Sequence, residues 1–173
     1  MNKKPKYWNS ALKYLSSKDS VMKTLIKKYN DKTLTTRKDI FFSLCKSIIG
    51  QQISVAAANS VFLKFKKTCK GKITPITVNK KRTSELKKCG LSRQKVKGIK
   101  ELSKKFLNKE FNPNLIKNMS DEEAIVYLST LRQIGRWSAE MILLFTFNRD
   151  CLLYTSDAAD DTPCVDLGGR RII

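Results

Sequence analysis

The sequence predicts an all-α fold, on three observations. Apolar residues recur at helical spacing almost from the start to about residue 147, capping residues stand where those stretches begin, and nothing alternates as a half-buried strand would. At 173 residues the chain is long enough for one domain with a core and too short for two ordinary ones. A single helical bundle is expected.

Taken in order, Trp8, Leu12 and Leu15 make one stripe, and Asp19 can cap a second helix carrying Met22, Leu25, Ile26 and Tyr29. Phe41, Leu44, Cys45 and Ile48 repeat the i, i+3, i+4, i+7 pattern of a helix with one apolar face. After a short break at 50–53, Ser54 can cap a helix that turns Ala57, Ala58, Val61, Phe62 and Phe65 inward. Val96, Ile99, Leu102 and Phe106 then face one way, which leaves Lys95, Lys97, Lys100, Lys104 and Lys105 as an exposed basic surface. Ser120 and Glu123 form a capping box for a helix carrying Ala124, Ile125, Leu128 and Leu131, which stops near Gly135. A further helix runs from there to about Phe147. Its residues Ala139, Met141, Ile142, Leu143, Leu144, Phe145 and Phe147 leave no polar face, so it is expected to be the buried central helix.

Lys and Arg number 35 against 15 Asp and Glu, a formal charge of +20. Because the excess is spread along the chain, it points to a polyanionic partner. The competing explanation is that exposed helix faces simply tolerate Lys. The five cysteines (Cys45, Cys69, Cys89, Cys151, Cys164) form no C-x-x-C pair and there is no histidine, which argues against a zinc site and against any His-activated nucleophile. Catalysis would then rest on carboxylate, Lys, Tyr or backbone groups; no metal or cofactor is expected. The basic N-terminus leads into Tyr7 and Trp8 without an apolar run, and no stretch approaches about 18 apolar residues. A reducing cytoplasmic location is expected, at the nucleoid in a bacterium or in the nucleus of a eukaryote.

Composition shifts at residue 151. The last 23 residues hold only Arg170 and Arg171 of the 35 basic residues but Asp157, Asp160, Asp161 and Asp166 of the 15 acidic ones, leaving 33 against 11 before them, +22 for residues 1–150 and −2 for the tail. Lys is absent from residues 151–173. That string resembles translated sequencing adaptor, so residues 151–173 are expected to be a non-native or disordered tail and the bundle to be incomplete at its C-terminus; a genuine acidic loop is the alternative.

Residues 131–145 read as a short turn between the capped helix and the apolar one, a helix-hairpin-helix over about 121–147. In such a turn Gly135 permits close backbone approach, and the N–H groups opening the next helix can point at a DNA phosphate, gripping backbone without reading sequence. The string Gly135-Arg136-Trp137-Ser138-Ala139-Glu140-Met141 resembles the hairpin of the DNA-3-methyladenine glycosylase II family, within the helix-hairpin-helix DNA glycosylase superfamily. Ile48 to Ala57, with Gly50-Gln51-Gln52-Ile53-Ser54 at its centre, resembles the family's loop whose side chains enter the duplex beside the extruded nucleotide; by that match Gln52 is the wedge. Cys89 to Val96 resembles the turn before the family's next helix. The three blocks occur in family order and the resemblance covers roughly residues 7–150. Each block also has a plain reading, Gly50-Gln51-Gln52 as an interhelical turn and Trp137 as a core residue. One departure is Gln133, where the family usually has Gly.

The resemblance implies a glycosylase that hydrolyses the N-glycosidic bond of alkylated purines such as 3-methyladenine in damaged double-stranded DNA, acting as a monomer. It implies backbone and loop contacts from Gln51, Gln52, Ser54, Gln133, Ile134, Gly135, Arg136 and Ser138, with Trp137 in the base pocket. Strand-cleaving relatives carry Lys at the position of Trp137, and Trp cannot form a Schiff base, so the monofunctional branch is favoured. Extruding the base costs a few kcal/mol, and a carboxylate must then stabilise the cationic sugar. In the family that carboxylate is an Asp soon after the apolar helix. Spacing from Trp137 favours Asp157, and local context around Pro163, Gly168, Arg170 and Arg171 favours Asp166. If the tail is not native, the chain as written is expected to be inactive. The alternatives are a strand-cleaving glycosylase, a non-catalytic helical nucleic-acid binder with steep salt dependence, and a basic helical protein with no nucleic-acid role.

Overall fold

The computed structural model describes residues 5–33 and 39–149. Those residues form nine α-helices with no strand among them, as the periodicity predicts: α1 Trp8–Lys18, α2 Ser20–Lys28, α3 Ile40–Gly50, α4 Val55–Thr68, α5 Pro75–Asn79, α6 Thr83–Lys88, α7 Arg93–Leu107, α8 Asp121–Ser129 and α9 Arg136–Ile142. A 3-10 turn, Leu115–Asn118, precedes α8, and a π-helical turn, Leu143–Phe147, continues α9. The tail at 151–173 lies outside the described residues, with both Asp157 and Asp166.

Helix starts follow the capping residues. Asp19 accepts from the Met22 amide at 2.8 Å, Ser54 from the Ala57 amide at 3.2 Å, and Ser120 and Glu123 close the expected reciprocal box. The small helices α5 and α6 have no counterpart in the sequence reading; at five and six residues they are too short to show a period. α1 and α2 pack on each other, and no residue of either is buried, because two helices alone cannot cover both of their apolar stripes.

The centre of the bundle is α3, not the segment after Gly135. Phe41, Leu44, Cys45, Ile48 and Ile49 of α3 are all buried, and α3 packs against α4, α7 and α9. In the segment expected to be central, α9 gives way to the π-helical turn, and Met141, Leu144, Phe145 and Phe147 are only half-buried. Apolar composition records what a face wants, and these residues reach only partial cover, with Phe147 packed against the edge of the core. Ala57 is likewise exposed, leaving Phe65 as the buried anchor of α4.

A line of rings ties the layers together: Phe41 of α3 meets Phe106 of α7 edge-on at 5.1 Å, Phe106 meets Phe111 at 5.2 Å, and Phe111 stacks on Tyr127 of α8 at 4.8 Å. Cys45, Cys69 and Cys89 are free thiols in this core. Burial pushes the Cys69 thiol up to about 11 and that of Cys45 well above its ordinary value, so neither is a ready nucleophile.

Two of the lysines expected on an exposed basic surface turn inward, and a third, Lys105, is partly exposed but tied to a neighbouring turn. Lys100 donates to the carbonyls of Asn79 and Lys81 at 2.6 and 2.8 Å, fastening α7 to the end of α5. Lys105 donates to Thr130 at 3.1 Å, and Lys95 points into the loop after α3. Lys97 and Lys104 are exposed as expected. The aliphatic stems lie along the bundle while each ammonium meets carbonyls left over at the ends of other elements.

Candidate nucleic-acid interface

Three turns converge on one corner of the bundle. The first follows α3: Gln51 leaves the helix at φ −60°, ψ 135°, Gln52 takes a left-handed φ of 56°, and Ser54 starts α4. Gln52, Ile53 and Ser54 are exposed. The second precedes α7, where Gly90 sits at φ 95° and Ser92 caps the helix through the Lys95 amide. The third joins α8 to α9 through residues 130–135.

Side chains lock these turns together across long stretches of sequence. Gln51 Nε2 donates to the Gln133 carbonyl at 2.7 Å and lies 3.4 Å from Ser138 Oγ, joining the first turn to the third. Lys95 Nζ donates to the carbonyls of Ile49 and Gln51 at 2.8 and 2.7 Å, joining the second to the first. Arg132 Nη2 donates to Gln94 Oε1 at 3.0 Å, joining the third to the second. Gln51 therefore faces the hairpin, whereas Gln52, like Ile53 and Ser54, is left outward.

In the hairpin turn, Ile134 is buried and its amide is spent on the Leu131 carbonyl at 3.0 Å. The first bond of α9 runs from the Ala139 amide to the Gly135 carbonyl, and no side chain caps the helix. The amides ahead of Ala139 thus form an uncapped helix start, where partial positive charge gathers. Gly135 has φ −90°, which any residue adopts, and a Cβ built there meets nothing within 4 Å. The protein's own packing therefore does not require glycine at 135.

Gln133, the departure from the family pattern, adopts φ 69°, the left-handed conformation that glycine takes without strain. Its side chain lies over Gly98 of α7, where an added Cβ would stand 2.9 Å from Gln133 Cγ. A glycine on the facing helix makes the room that Gln133 occupies.

Arg136 is engaged within the protein. Its guanidinium forms a two-pronged pair with Glu122 of α8 at 2.7 and 2.8 Å, and its Nε lies 3.1 Å from Glu140. This pairing holds the Glu122 carboxyl below the usual carboxylate range. Glu140 is buried, at 3% exposure, and its pairing with Arg136 is what makes such burial tolerable. Arg136 is thus a strut across the hairpin. Arg149 does similar work at its base, pairing with Asp121 and donating to the Ile116 and Met119 carbonyls. Ser138 is buried beside Gln51, whereas Trp137 stands half exposed, at 50%, on the first turn of α9.

Sequence reasoning missed Lys95, Gly98, Glu122 and Glu140. One signal for Lys95 was available: a cation in the first turn of a helix opposes the macrodipole, so its presence there calls for a partner elsewhere.

Residues 45–173 match the HhH-GPD superfamily base excision DNA repair protein family. An alkylbase DNA glycosidase-like protein of Schizosaccharomyces pombe is 31% identical over 157 residues, 87% of this chain and 74% of that protein. DNA-3-methyladenine glycosylase 1 of the same organism is 28% identical over 150 residues, 83% of this chain and 66% of its own length. The chain thus spans about two thirds to three quarters of these relatives. Among solved structures, the 3-methyladenine DNA glycosylase of S. pombe in complex with abasic DNA superposes with a TM-score of 0.67 at 26% identity, over 83% of this chain and 72% of that one.

Proposed function

We propose a function from one premise: the chain belongs to the HhH-GPD superfamily of base excision DNA repair proteins. On that footing it binds double-stranded DNA and acts as a monofunctional glycosylase on alkylated purines such as 3-methyladenine, the substrate class carried in the names of its relatives. The amides of residues 135–138 take a phosphate of the damaged strand. Gln52 enters the duplex beside the lesion, and the extruded base stacks on Trp137. An alkylated purine already carries positive charge and leaves readily; the protein's part is to stabilise the cationic sugar and orient water, which falls to Asp157 or Asp166. Trp137 offers no amine for a Schiff base, so the strand is left uncut. The observation that carries this reading is the bond from Gln51 to the hairpin turn, which supports it by joining the Gln51–Gln52 loop to the turn between α8 and α9.

A second reading, a DNA binder without turnover, is favoured by the composition shift at residue 151, since both carboxylates fall beyond it. Release of methylated purines from alkylated duplex DNA separates the two. Turnover is expected to fall by at least about a hundredfold in D157N or D166N, whichever carries the carboxylate, with no borohydride-trapped adduct. Tight, salt-sensitive binding with no base release establishes the second reading and excludes the first.

A further inference from the structure

The loop that presents Gln52 is held from two sides, and one of the holders is the ammonium of a lysine. α3 ends at Gly50, so its last carbonyls need donors. Helices commonly meet that need with a left-handed glycine just past the end. Here the left-handed residue is Gln52, at φ 56°, and the carbonyls of Ile49 and Gln51 accept instead from Lys95 Nζ at 2.8 and 2.7 Å. On the other side Gln51 reaches Gln133 and Ser138 of the hairpin turn. The residues immediately before Gln52 are therefore pinned through their backbone to α7 and through a side chain to the hairpin.

Lys95 bears a cost for this placement. It is half-buried, burial pulls its ammonium below the ordinary lysine range, and it stands in the first turn of α7, against the macrodipole. An ammonium aimed inward at two carbonyls is also withdrawn from any phosphate. Lys97, two residues on, is exposed and faces away from Lys95 round the helix.

We propose that Lys95 is a positioning residue for nucleotide extrusion: by holding the carbonyls of Ile49 and Gln51 it sets the direction in which Gln52 enters the duplex, without itself binding DNA. This rests on the reading of Gln52 as the wedge.

The test uses the full chain and a duplex with 2-aminopurine beside a tetrahydrofuran abasic analogue, read by fluorescence at saturating protein and by the salt dependence of affinity. K95M, which keeps the stem and removes the ammonium, should reduce the fluorescence rise at least about fivefold, a shift of roughly 1 kcal/mol in the unstacking equilibrium. The slope of log affinity against log salt should stay at its wild-type value, and K95R should recover most of the rise. A K95M chain that keeps the full rise overturns the proposal, as does a slope smaller by about 0.9, the mark of a lost phosphate contact. Should K95M fail to fold, K95Q, whose shorter side chain cannot reach both the Ile49 and Gln51 carbonyls, takes its place, and a full rise in K95Q overturns the proposal equally. A wild-type chain that binds this duplex with no rise at all refutes the wedge reading, and the proposal with it.

Discussion

Leu128→Ala should destabilise the protein by about 2–5 kcal/mol, the cost of emptying a leucine site in a packed core. Leu128 lies on α8 with no exposed surface, in the cluster that includes Ala124, Ile125, Leu131 and Ile134. That cluster carries the first helix of the hairpin and the turn itself, so the loss is taken from the scaffold of the interface. Against a total stability of about 5–15 kcal/mol, the melting temperature should fall by on the order of 10 °C. Val126, two residues earlier on the same helix, is 61% exposed, and its replacement by alanine should stay within about 0.5 kcal/mol. Equal effects at the two positions in a thermal melt would mean that α8 does not dock by the face described.

The pair Gly98 and Gln133 should show a reversal of sign. A methyl group added at Gly98 would stand 2.9 Å from Gln133 Cγ, 3.5 Å from its Cβ and 3.6 Å from the Arg132 carbonyl. The side chain can swing, but its root and the neighbouring backbone hold the turn in place. G98A should therefore cost about 1–3 kcal/mol as overpacking, even though alanine is worth about 1 kcal/mol more than glycine inside a helix. Q133G removes the obstruction and relieves a non-glycine residue held at φ 69°, a strain of about 1–3 kcal/mol. In that background G98A should become stabilising by about 0.5–1 kcal/mol, since only its propensity gain remains. A urea-unfolding double-mutant cycle reads the coupling directly, and additive effects would show that the two residues do not meet.

Much of this architecture was legible in the residues because it is local. Asp19, Ser54 and the Ser120–Glu123 box act within three residues of themselves, and the stripe on α3 declares its period. The hairpin and the Gln51–Gln52 loop could each be recognised as blocks. Their meeting could not, because it depends on side-chain bonds between residues 82 and 44 positions apart. The same limit explains the lysines. Lys95 and Lys100 stand on the polar side of an amphipathic helix, and only the approach of other elements' carbonyls decides that they turn inward. The apolar run after Gly135 misled in the opposite direction, since composition alone does not show what covers a face.

Around Gly135, the start of α9 leaves space that the protein does not fill for itself and that a DNA strand can occupy. Gly135→Ala probes that space, because nothing in the protein lies within 4 Å of the added carbon. Binding to a duplex with an abasic-site analogue, measured beside a thermal melt, should weaken at least about tenfold, or 1.4 kcal/mol, while stability changes by no more than about 1 kcal/mol. An alanine variant that binds as tightly as the wild-type chain would place the DNA backbone somewhere other than this turn.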